Sequence, residues 1–140
     1  MTSNVVLSGW RLTVLFLAVA AVATTGALLI GIDDNPVGIT ALYVAAASLI
    51  LAWAHRWRQA KSFVILAVVS ALGFPVAVVG HNLLYALGEW AKGSTVIVGV
   101  AEFLHVLFFF AALLICPAGL VIGAVGGLVA WRVRRRERRA

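Results

Sequence analysis

Charged side chains are scarce in this chain: they make up 11% of its 140 residues, against about a quarter in an ordinary soluble domain. With 64% apolar residues and a mean hydropathy of +1.08, the apolar excess is larger than one small core can hide. That excludes a soluble globular domain and makes the bilayer the solvent. Cysteine is limited to Cys116, inside an apolar stretch, so no internal disulfide can form and no Cys-x-x-Cys-His haem attachment exists. Phosphate loops, Gly-x-Ser-x-Gly, His-Glu-x-x-His and dinucleotide fingerprints are all missing. The apolar stretches contain no Lys or Arg, which argues against a voltage sensor or an anion path.

What the chain does have is four long apolar runs: Leu12–Gly31, Val37–Ala54, Phe63–Leu87 and Thr95–Trp131. Each reaches the ~18–20 residues a helix needs to cross a ~30 Å hydrocarbon layer. The expected fold is therefore all-α and polytopic: four transmembrane helices in an up-down bundle over residues 1–131, followed by a basic tail over 132–140. Ala21-Val22-Ala23 resembles a signal-peptidase site. Only Arg11 precedes it, however, and the apolar run continues beyond it to Ile32, so the first span is expected to be retained.

The eleven basic residues are unevenly placed. Arg11, then Arg56, Arg58 and Lys61, then the six arginines of the tail fall on one side if the spans alternate. Asp33, Asp34, Glu89 and Lys92 fall on the other. By the positive-inside rule both termini are cytoplasmic, and a prokaryotic plasma (inner) membrane is the expected location. The basic excess is explained by topology, so nucleic acid is not an expected partner. Anionic lipid headgroups are, at ~1 kcal/mol per charge near the surface. Trp10, Trp53, Trp57, Trp90 and Trp131 lie near the interfaces, as an aromatic belt.

Helix ends are marked by Asn35, which can cap the second helix with Pro36 at its first position, by Ser62 before the third, by Gly88 at its end, and by Ser94 or Thr95 before the fourth. The fourth stretch has 37 residues, about 55 Å if straight. One long, kinked, tilted helix accommodates it, because splitting at Pro117 would leave a second piece too short to cross. Pro117 has no N–H and frees the carbonyl of Leu113; Pro75 does the same to Ala71.

Gly119, Gly123 and Gly127 are four apart and form one flat helix face for close packing, against the first or second helix of this chain or against another subunit. Near the opposite end, His81, Tyr85 and Glu89 share a face of the third helix, and Glu102 and His105 share a face of the fourth. With Asp33 or Asp34 from the first loop, they are expected to converge. His81, Glu89, Glu102, His105 and Asp34 offer imidazole and carboxylate ligands for a divalent metal. The same groups also read as water-facing pairs, Glu89 with Lys92 and Glu102 with His105. Haem held by His81 and His105 is disfavoured, since their relative depth is not fixed by the sequence.

These features point to a small integral membrane protein of non-enzymatic type: an accessory subunit, or a lipid or small-ligand binder, alone, as a homo-oligomer or beside a partner membrane subunit. The alternative is a membrane-embedded metalloenzyme built on the His/carboxylate cluster. An oligomeric transporter or channel is third.

Overall fold

The computed structural model describes residues 2–137, with side chains from Gly9 onward. Five α-helical segments account for nearly all of it: α1 (Thr2–Ile30), α2 (Pro36–Ala54), α3 (Ala60–Trp90), α4 (Thr95–Phe110) and α5 (Cys116–Glu137). A π-helical turn, Ala111–Ile115, joins α4 to α5, so 95–137 is one continuous rod. The result is four helices long and apolar enough to cross a membrane, and no strand among the described residues. Three helices outrun their apolar stretches; α3 does so at both ends, carrying Lys61 and Glu89. α1 carries Arg11 within it, and α5 carries the arginines through Arg136; Arg138 and Arg139 lie outside the described residues.

The helix ends correct part of the sequence reading. Asn35 does cap α2: its side chain accepts from the Val37 N–H at 3.1 Å, and Pro36 takes the first position. Ser62 does not cap α3. That helix starts at Ala60 after an extended Gln59, and the Ser62 N–H donates to the Gln59 carbonyl at 3.1 Å. Gly88 does not end α3, which runs on to Trp90; Gly88 faces the Cβ of Ala101 on α4 instead. The left-handed residues are Gly31 (φ 86°) and Asp34 (φ 52°), both in the tight 31–35 turn, where Gly38 lies directly on the Gly31 carbonyl.

Small residues fill the interior and large ones face out. Ala27, Ala45, Ala46, Ala52, Ala54, Ala77 and Ala101 are buried, as are Gly119 and Gly123, while the exposed surface is dominated by Val, Leu, Ile, Phe and Trp. This inversion of a soluble core is what an apolar solvent dictates. Lipid solvates large apolar side chains, so helices gain by close approach over small ones. The contacts pair α1 with α2, and α3 with α4 and α5. α2 meets the long rod at mid-length, where Ala46, Leu114 and Ala118 are buried among Leu42, Tyr43, Ile50 and Phe110.

The α3–α5 seam is the tightest. A Cβ on Gly123 would stand 2.6 Å from the Ala67 nitrogen and 2.9 Å from its Cα, and one on Gly119 would collide with the Ser70 hydroxyl. Within the chain the neighbour of this glycine face is α3, a helix not among the partners the sequence suggests, which are the first or second helix or another subunit.

Polar bonds also tie separate helices together. The π turn ends just before Pro117, and the Leu113 carbonyl within it accepts from the Tyr43 hydroxyl of α2 at 2.9 Å. The acceptor freed by proline is thus met by a different helix. At the end of α2, the His55 ring places Nδ1 2.9 Å from the Leu51 carbonyl and Nε2 3.1 Å from the Gly9 carbonyl of α1. A neutral imidazole has one N–H and donates one of these bonds; the imidazolium donates both.

Candidate functional site

Polar side chains gather at both ends of α3. At the 88–94 end, the register of α3 against α4 brings His81, Tyr85, Glu102 and His105 together. His81 Nδ1 donates to the His105 carbonyl at 3.0 Å, the two imidazole rings lie 5.0 Å apart, and Tyr85 meets the His105 ring edge-on at 5.8 Å. A carbonyl accepts only, so His81 carries its proton on Nδ1. His105 Nδ1 is 3.4 Å from a Glu102 oxygen, and Glu89 is 2.7 Å from Lys92 one turn later. Glu89 holds the Lys92 ammonium above its ordinary value of 10.5, through that hydrogen bond first and through charge second.

This cluster satisfies itself. No buried side-chain nitrogen or oxygen among the described residues lacks a partner. The crevice between Tyr85, Glu89, Lys92, Glu102 and His105 holds only about 70 Å³, room for a water or two. Of the residues expected to converge, His81, Glu102 and His105 are brought together and Glu89 lines the same crevice. Asp34 sits in the 31–35 turn and is not among the groups lining it. Among the described residues, no three His, Cys, Asp or Glu side chains are grouped so as to hold a metal ion. The chemistry open to such an arrangement is proton exchange between exposed Glu102 and half-buried His105.

The other end of α3 is different. There α2, the 55–59 loop, the start of α3 and α5 border an open-sided cavity of about 770 Å³, within the usual range for ligand sites. It begins at Leu51 on α2 and at Val121 on α5, just past the mid-length contact of Ala46 with Leu114 and Ala118. Beyond that contact α3 and α5 stay in close contact through Gly119 and Gly123. Phe63 packs over Gly126, where any Cβ would strike its ring, and Trp57 meets Phe63 edge-on at 5.4 Å. Its lining is mostly apolar, with His55, Arg58, Arg134 and Glu137 as the polar members.

The sequence does not reveal this site, because Arg58 and the arginines of the tail read there as topology signals. One signal was present. Val121, Val125, Val129 and Val133 recur every four residues and end beside Arg134.

No family model matches this chain, and no curated protein or solved structure matches it either. The fold itself defines a class: an all-helical protein whose four long apolar helices suit a multi-pass membrane protein.

Proposed function

We propose that this chain is a non-enzymatic multi-pass membrane protein that holds a lipid-like amphiphile in the cavity between α2, α3 and α5. The helices run up and down through a prokaryotic inner membrane, with both termini cytoplasmic and the long fourth rod bent near Pro117. The observation that carries the reading is the cavity of about 770 Å³ with a mostly apolar lining and a few polar members. An apolar cleft fixed by a few convergent polar groups is the usual form of a small-molecule site. At the opposite end, a closed set of pairs surrounds a space for water only.

Native mass spectrometry of the detergent-purified protein tests this. The protein should retain a lipid, and Val125→Trp, which fills the cavity from an exposed position on α5, should lose it while melting like the parent. A parent that carries no lipid, or a variant that keeps it, ends the proposal. Reporter fusions test the topology: cytoplasmic after Lys61 and Ala140, exterior near Lys92. Divalent metal bound at one equivalent and lost in His105→Ala would support the metalloenzyme alternative instead. A stoichiometric partner chain would support the accessory subunit.

A further inference from the structure

Resting on the lipid-binding reading, we infer that the occupant is an anionic phospholipid, its phosphate held between Arg58 and Arg134 and one acyl chain laid along the valine stripe of α5. Arg58 comes from the loop after α2 and Arg134 from the last turn of α5, yet both line the same cavity. Neither has a carboxylate within ion-pair distance among the described residues, where the only such pairs are Lys92–Glu89 and His105–Glu102. Two guanidinium groups lining one cavity can offer paired N–H donors to a phosphate. Glu137 shares the lining and supplies a single negative charge. His55 also lines the cavity, with its two ring nitrogens engaged by the carbonyls of Leu51 and Gly9.

The apolar part of the cavity fits the same ligand. Val121, Val125, Val129 and Val133 all line it, and each is at least half exposed. Twelve residues of helix rise about 18 Å, close to half of a ~30 Å hydrocarbon core. The stripe therefore has the depth of one leaflet and ends at the arginine. Arg135 lies differently, with its guanidinium 4.1 Å over the Trp131 ring, and lines no part of the cavity.

The experiment titrates the full-length protein in detergent, by native mass spectrometry, with phosphatidylglycerol, with phosphatidylcholine of matched chains, and with inorganic phosphate as competitor. Phosphatidylglycerol should bind at least tenfold more tightly than phosphatidylcholine. Arg58→Gln/Arg134→Gln should weaken it roughly a hundredfold, about tenfold per lost charge-assisted pair, and weaken phosphatidylcholine, whose phosphate charge is offset by its own choline, by less, so that the two lipids bind about equally. Arg135→Gln/Arg136→Gln removes the same charge and should leave both affinities near the parent. Equal binding of the two lipids overturns the headgroup assignment while the lipid-binding reading stands. Binding of neither overturns that reading itself. An equal loss in the two double variants reduces the effect to general attraction by the basic helix end, and displacement of lipid by inorganic phosphate assigns the site to a free anion; either result overturns the inference.

Discussion

At the 88–94 end of α3, Glu89 lies 2.7 Å from Lys92 and Glu102 lies 3.4 Å from His105, each pair three residues apart along the chain. At the other end, Arg58 and Arg134 belong to separate elements and reach a common cavity without a carboxylate partner among the described residues. The spaces they border measure about 70 Å³ and about 770 Å³. Polar groups at helical spacing find each other locally, whatever the rest of the chain does. Polar groups delivered to one place by different helices have no such local partner, and their charge remains directed at whatever enters. The end richer in catalytic residue types is thus the closed one.

The largest test of this contrast acts on the seam that builds the cavity. Gly123→Leu would drive a side chain into the backbone of Ala67. Overpacking against main chain should cost about 3 kcal/mol, a fall in Tm of roughly 10 °C for a chain of this size, with loss of retained lipid. Gly127→Ala on the same face meets only the Phe63 Cβ at 3.6 Å and a Val64 methyl at 3.7 Å, ordinary contact distances, and should melt within a degree or two of the parent. If Gly123→Leu melts unchanged, α3 and α5 do not pack as described and the cavity has no wall.

A smaller effect is expected between the two ends. Tyr43→Phe removes the 2.9 Å bond from α2 to the Leu113 carbonyl. Loss of one such bond should cost about 0.5–1.5 kcal/mol, and lipid should exchange faster as α2 loosens from the rod. Thermal melting and lipid off-rates measure the two consequences. Unchanged values for both would mean that α2 is held by the Ala46–Leu114–Ala118 contact alone.

The smallest effects belong to the polar end. Glu102→Gln should cost under about 1 kcal/mol, because the Glu102 side chain is 62% exposed, and phosphatidylglycerol binding should not change. Lys92→Ala should leave the melting curve where it is. The raised Lys92 value gives the sign of its pH dependence: the pair is intact below its ordinary 10.5 and is lost as alkali deprotonates the ammonium. A Glu102→Gln variant that loses lipid would break the contrast between the ends, since it would couple the crevice to the cavity.

Several details are legible in the amino-acid order alone. The cap at Asn35 and Pro36, the freed Leu113 carbonyl, and the pairs Glu89–Lys92 and Glu102–His105 all follow from spacings of a few residues. Ser62 and Gly88 mislead for a physical reason. At a membrane surface, water and headgroups satisfy free N–H and C=O groups, so a helix can begin before the serine or run past the glycine without a side-chain cap. Asp34 is expected beside the histidines, but its turn joins α1 to α2, and that hairpin meets the long rod only near its middle.

The amino-acid order by itself determined four apolar helices, the short turns between them, the uneven distribution of basic charge and the break in backbone bonding at Pro117, because each depends on contiguous residues and on transfer from water to hydrocarbon. Only the tertiary structure decided which helix receives the glycine face, which hydroxyl meets the Leu113 carbonyl, and that Arg58 and Arg134 share one cavity. In lipid, no hydrophobic gradient directs one helix face toward another. The choice falls to the sum of many weak contacts over small residues, and that sum exists only once α2, α3 and α5 are side by side.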